Sequence, residues 1–359
     1  PIGILKLTAN LFWIEWLYTG LEDFRYITLR SIILRTAFII AVFLFVQTRA
    51  DVVTYYALFV GITVGNAVCN WCHKRTYLHW DIRRANIRRF LVPFFMLGIF
   101  AMLSAVYAKL SLPVLNFITN NQEAGNFATA TRVYRVVIAL VSTLTGVMIP
   151  RMSVLMEEDR FDMVRHYTDV AFKLLFLFAF PLICFIELFA PDIIRLFAGP
   201  GFEGAILPMR ITMFQLLIIG SEKIIVLQLL IPLRKDRTIV KAGLAGVVVW
   251  GLLTVLLVPC LQSVGTSLVW VAAELVVLII AAMESSRSLS IRFPFALLLK
   301  SILYALPYLL MGSLVLLVTD SPVLRIIISI LLFMTYAVIL EDKVYQTGII
   351  KTLKGLFSR

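Results

Sequence analysis

The sequence predicts an all-α, multi-pass transmembrane bundle of about eleven spanning helices. Three observations carry that reading. Hydrophobic residues make up 61% of the 359 positions and charged residues only 15%, where soluble domains carry about 25%. Mean hydropathy is +0.95. Apolar runs of roughly 18 residues or more recur along the whole chain, and they are continuous (94–108 is one) rather than alternating, which favours helices over a barrel.

Taken in order, the spans and their connectors alternate in charge. Span 3–20 leads to Arg25, Arg30 and Arg35; span 27–46 leads to Arg49. Span 52–71 leads to Lys74, Arg75, Arg83, Arg84, Arg88 and Arg89. Spans 94–117 and 127–150 bracket a short connector and are followed by Arg151, Arg160 and Arg165. Span 167–189 leads to Arg195, and span 206–232 to Arg234, Lys235, Arg237 and Lys241. Spans 242–259 and 264–283 are followed by Arg287, Arg292 and Lys300. Spans 296–318 and 323–341 flank Arg325 and lead to Lys343, Lys351, Lys354 and Arg359. Every second connector is rich in Lys and Arg; the opposite set has only Arg49, Arg195 and Arg325. Positively charged loops stay inside, so the C-terminal tail is expected in the cytoplasm. The net charge of +12 would suggest nucleic acid in a soluble chain; here its order along the sequence explains it, and no nucleic-acid partner is implied. The basic connector at 72–93 suits anionic headgroups of membrane lipids and a link between two helical lobes.

Two motifs resemble chemistry that their setting opposes. Cys69-Asn70-Trp71-Cys72-His73 spells the c-type haem attachment pattern, but it closes a span on the expected inner side, and haem of that type is attached on the other. Gly199-Pro200-Gly201-Phe202-Glu203-Gly204 spells a dinucleotide pattern without the strand it needs, and reads better as a turn. The four cysteines imply no disulfide framework, and His73, His79 and His166 lack metal-ligand spacing. No metal, cofactor or catalytic residue is implied. There is no phosphate-cradling loop of the ATP-driven type, and the outward loops are short for a membrane glycosyltransferase, polymerase or ligase.

Ionisable residues within spans are costly, about 2.5–3.5 kcal/mol each on insertion scales, and mark candidate sites. Lys109, Arg132, Arg135 and Arg210 fall in the outer halves of their spans, and Arg132 and Arg135, three apart, share a helix face. Together with Lys223 they are candidates for a cationic cavity that binds a phosphate-bearing substrate. The plainer alternative is snorkelling to headgroups. Glu15, Glu222 and Glu274 are candidates for ion coupling, with H+ or Na+ as the ion; the plainer alternative is an interhelical hydrogen bond. Glu222 and Lys223 are neighbours on one helix, so each needs a partner elsewhere. A Gly-x-Glu match between Gly20-Leu21-Glu22 and Gly220-Ser221-Glu222 separates its host spans by about six, the offset that two six-helix lobes produce.

Trp16-Leu17-Tyr18-Thr19-Gly20-Leu21-Glu22 resembles the W-[FL]-[FY]-x-G-L-E stretch of bacterial polysaccharide flippases, the Wzx-type O-antigen and capsule flippases of the MOP exporter superfamily. Residues 124–153, with Gly125, Phe127, Ala130 and Arg132 and ending Pro150-Arg151-Met152-Ser153, resemble a second segment of that family, and 189–212 a third. The resemblance implies a MATE-like transporter of two six-helix lobes and an accessory helix pair. It places the first span here at the family's fourth, so an N-terminal truncation by three helices is expected. The implied layout is the remainder of an N-terminal lobe at 1–75, a cytoplasmic connector at 76–92, a six-helix lobe at 93–285, an accessory pair at 292–345 and a tail at 346–359. The implied activity is transfer of oligosaccharide on undecaprenyl pyrophosphate across the bacterial inner membrane by alternating access. Contact with polysaccharide polymerase machinery is a further implied partnership. A drug or metabolite exporter of the same superfamily would place acids rather than Arg in its cavity.

Overall fold

The computed structural model describes residues 2–48, 51–73 and 87–346. The chain divides into two compact units, residues 1–87 and 88–359.

In the first unit the expected span 3–20 is broken. Helix α1 (Ile2–Leu11) gives way to a short α2 (Glu15–Gly20), with backbone bonds from Phe12 and Trp13 to Ala9 and Asn10 closing the turn. Helix α3 (Phe24–Phe45) starts at Asp23, whose carboxylate accepts from the Tyr26 amide at 3.3 Å and so caps the first turn. Arg25, Arg30 and Arg35 therefore lie inside α3, not in a connector. A turn held by Asp51, which accepts from the Gln47 and Thr48 amides at 3.1 and 2.8 Å, leads to α4 (Val52–His73). Both α1 and α3 pack on α4.

The second unit runs α5 (Ile87–Ile118), α6 (Asn121–Glu157), α7 (Phe161–Ala198), α8 (Ile206–Met213) and α9 (Gln215–Ile225). A π-turn (Val226–Leu230), α10 (Asp236–Leu289), α11 (Phe295–Val318) and α12 (Pro322–Leu340) complete it. Residues 87–92 begin α5, so that part of the expected connector is helical; residues 76–86, and the tail beyond 346, lie outside the described residues. Asn120 caps α6 by accepting from the Glu123 amide at 3.0 Å. Helix α10 joins the two expected spans 242–259 and 264–283 across a break at Gln262 (φ 51°, ψ −123°), just after Pro259. The Glu123 carboxylate fixes that break, accepting from both the amide and the hydroxyl of Ser263. Helix α7 kinks at Phe189, two residues before Pro191.

Eight helices among the described residues are long and apolar enough to cross a membrane. Helix α6 and the broken α1–α2 stretch occupy two further expected spans, and the second limb of α10 the remaining one. Burial sorts their roles. In α7 and in 203–230, 56% and 67% of the most apolar stretch is enclosed; in α3, α10 and α12 it is 6%, 17% and 17%. The first pair forms the core of the second unit, with the rings of Phe172, Phe176 and Phe180 in tilted and edge-on contact along α7. The others expose Phe43, Leu252, Val255 and Leu331, as a lipid-facing surface does. Helices α11 and α12 pack on each other and both lean on α7. Helix α9 meets α7 at Gly220, where any Cβ would overlap Leu175 Cδ1; Gly20 faces open space.

Both look-alike motifs are packing devices. Cys69 and Cys72 are free thiols in α4, and the His73 ring stacks on Tyr26 at 4.0 Å and 8°. Gly199 and Gly201 adopt φ of 83° and 92° in a turn, and Gln122 donates to the Gly201 carbonyl at 3.2 Å.

Candidate functional site

The second unit buries two carboxyl groups. Glu222 on α9 is 9% exposed and Glu274 on the second limb of α10 is 6% exposed. Tyr107 on α5 donates to Glu274 Oε2 at 3.2 Å, and Trp270, one turn earlier on α10, donates its indole N–H to Oε1 at 3.3 Å. Both oxygens of Glu274 are thus occupied as acceptors. Tyr134 of α6 packs edge-on against Trp270 at 5.5 Å and keeps its hydroxyl unpartnered inside the bundle.

Lys223 does not bond either carboxyl. Its ammonium donates to Ser142 Oγ of α6 at 2.6 Å, and Ser142 in turn donates to the Ile138 carbonyl at 2.8 Å.

The other candidate cations are placed differently. Lys109 is exposed on α5. Arg132 and Arg135 are exposed on one face of α6, which they share with Val136 and Ala139. Arg210 on α8 donates to the Glu187 carbonyl at 2.9 Å and lies 3.6 Å from the Glu187 carboxylate, so its charge is partly answered within the bundle.

Glu15 lies in the first unit. It accepts from Arg30 at 2.8 Å and from the Trp13 indole at 2.7 Å. The Arg30 side chain is 4% exposed and also donates to the Asn70 side chain, while the Tyr18 hydroxyl bonds the Asn70 carbonyl. This arrangement ties α2, α3 and α4 together. Sequence reasoning missed Arg30, Asn70, Tyr107, Trp270, Tyr134 and Ser142. Only Trp270 carried a local signal, its spacing of four from Glu274 on one helix.

Next to the carboxyl pair runs an apolar groove of about 690 Å³ between α9, α10 and the start of α11. Phe214, Ile218, Leu275, Ile279 and Phe293 line it, together with Ser221 and with Arg292 as its cation. Among the described residues no group of three His, Cys, Asp or Glu side chains is placed to hold a metal.

In class, the chain is a multi-pass helical membrane protein with ionisable groups buried among its apolar helices. Residues 3–156 match the family model described as polysaccharide biosynthesis protein. A protein of Escherichia coli (strain K12) named "Putative O-antigen transporter" is 25% identical over 285 residues, 76% of this chain and 66% of that protein. The solved structure "Lipid II flippase MurJ, inward closed conformation" shares the fold with a TM-score of 0.63 at 17% identity, over 85% of this chain and 65% of that one. The chain thus spans just under two thirds of the length of these relatives. The similarity is thus to polysaccharide-biosynthesis proteins over the first part of the chain, and to the fold of that solved structure over most of it.

Proposed function

We propose that this chain is part of a flippase that carries an oligosaccharide on undecaprenyl pyrophosphate across the bacterial inner membrane by alternating access. The observation that carries the reading is the pair Arg132 and Arg135, exposed three residues apart on α6, within the segment that matches the polysaccharide biosynthesis family. Two guanidinium groups on one face offer bidentate donors to a pyrophosphate. The apolar groove beside α9 suits a hydrocarbon chain, with Arg292 available to a headgroup phosphate. Lys109 extends the exposed cationic set; Arg210 and Lys223 enter it only by releasing Glu187 and Ser142. Glu222 and Glu274, both buried in the second unit, are the candidates for ion coupling, with H+ or Na+ as the ion. Glu15 serves the first unit as the partner of Arg30. With the basic connectors inside, the C-terminus is cytoplasmic. Contact with polymerase machinery follows from the same reading of the pathway.

The test is complementation of a flippase-deletion strain with the full-length protein. Expected is restored surface polysaccharide, lost in Arg132→Ala/Arg135→Ala with unchanged membrane insertion. Unchanged surface polysaccharide in that double variant overturns the cationic-site reading.

A further inference from the structure

We infer that the groove between α9, α10 and α11 is a standing site for an anionic phospholipid of the inner leaflet, with one acyl chain laid along α10 and the phosphate on Arg292. The lipid is a resident ligand and not the cargo, so the inference goes beyond the transport reading and does not need it.

Packing leaves the groove open. Helix α11 leans on α7 and α12, and α9 packs on α10; among the described residues no extended packing joins α11 to α9 or α10. The seam holds about 690 Å³ of space with apolar walls. Leu275, Ile279 and Met283, one side chain per turn of α10, line it and are exposed, so it opens on the surface that meets lipid.

Its length points to one leaflet. From Leu275 to Ser286 the groove follows α10 for about 16 Å at 1.5 Å per residue. Half of a hydrocarbon core about 30 Å thick is about 15 Å. A partner helix crossing the membrane would need the whole thickness, and a polyprenyl carrier chain is far longer than the groove. An acyl chain of one leaflet matches it.

The polar end supplies the charge. Ser286 and Arg292 lie where α10 ends at Leu289 and α11 begins at Phe295. The connector between them is held in place: Arg165 donates to the Leu289 carbonyl at 3.3 Å, and Ser285 to the Ile291 carbonyl at 3.2 Å. Phe293 sets its ring edge-on to Phe172 of α7 at 5.6 Å. Arg292 is exposed, and Glu284, the carboxylate in the last turns of α10, is already engaged by Lys235 at 3.1 Å and by Ser288. No side chain caps α11, so its first-turn amides add partial positive charge at the same end. The order of charges puts this connector inside, among the inner headgroups. A guanidinium there offers a phosphate two parallel donors, and basic pockets between spanning helices on that side suit anionic lipids.

The experiment uses the full-length protein in detergent, with phosphatidylglycerol and phosphatidylethanolamine of identical acyl chains as probes and native mass spectrometry as the readout of binding. Expected is a preference for phosphatidylglycerol of about fivefold. Arg292→Ala should remove the preference and Arg292→Lys keep it. Arg287→Ala, an exposed arginine on α10 outside the groove, should also keep it. Ile279→Trp, which fills the groove, should weaken both lipids. Equal binding of the two lipids, or a preference that survives Arg292→Ala, overturns the site. So does undecaprenyl phosphate if it displaces phosphatidylglycerol from the wild type and loses that ability in Arg292→Ala, because the groove then belongs to the cargo's carrier. If Ile279→Trp fails to fold, the Arg292 variants decide alone. None of these readouts needs transport, so failure of the flippase reading leaves them standing, and the reverse holds.

Discussion

The hydroxyl of Tyr107 reaches Glu274 Oε2 at 3.2 Å across 167 positions of sequence. That bond joins α5 to the second limb of α10 and occupies one of the two oxygens of a buried carboxylate. The Trp270 indole donates to the other oxygen, so both acceptors of this carboxylate are answered within the bundle.

Tyr107→Phe removes this donor and nothing else of the ring. Hydrogen bonds between membrane helices average about 0.6 kcal/mol, so the variant is expected to melt only slightly earlier. Its larger effect falls on Glu274, whose Oε2 loses its donor from α5. Infrared difference spectra of the Glu274 carboxyl stretch read this; an unshifted band would remove Tyr107 from the site.

The Arg30–Glu15 pair gives a double-mutant cycle. Arg30→Met strands a half-buried carboxylate and should cost about 3 kcal/mol. Adding Glu15→Gln removes the stranded charge, so the double variant should be more stable than Arg30→Met alone. Denaturant unfolding in detergent measures both; additive losses would show that the two side chains do not interact.

Gly220 is where α9 presses on α7, and any side chain there meets Leu175. Gly220→Val should lower stability by about 1–3 kcal/mol, and Leu175→Ala should recover part of it. Gly20→Val, which faces open space, should cost less. Thermal unfolding ranks the three, and an equal loss at both glycines contradicts the packing described.

Gln262 holds a positive φ at the break in α10, a conformation that favours glycine. Gln262→Gly is expected to be neutral or stabilising, whereas Glu123→Gln weakens the bonds that hold Ser263 in place. The second variant should raise hydrogen exchange at 260–266; exchange unchanged there would assign the break to Pro259 alone.

Much of the architecture was legible because lipid imposes a simple rule. A backbone without water must bond within its own segment, so apolar runs become helices and the charged stretches fall between them. The rule fails at two places for identifiable reasons. Arg25, Arg30 and Arg35 read as a connector by charge alone, yet an arginine that finds Glu15 and Asn70 can stay inside a helix. The break at 12–14 is invisible to hydropathy, since Phe12, Trp13 and Ile14 are as apolar as their neighbours.

The site divides along the same line. Composition and the order of charges sufficed to name a multi-pass helical membrane protein and to single out Glu222, Glu274 and Lys223 as too polar for their spans. Both are properties of a residue against its local background, and a sequence records those directly. Which partner each found was decided by packing. Glu274 draws on Tyr107, 167 positions away, and Lys223 on Ser142, 81 positions away. Glu15, alike in chemistry and setting, was claimed by Arg30. A buried charge must be answered by whatever the neighbouring helix presents at its depth, and only the folded bundle sets that depth and that neighbour.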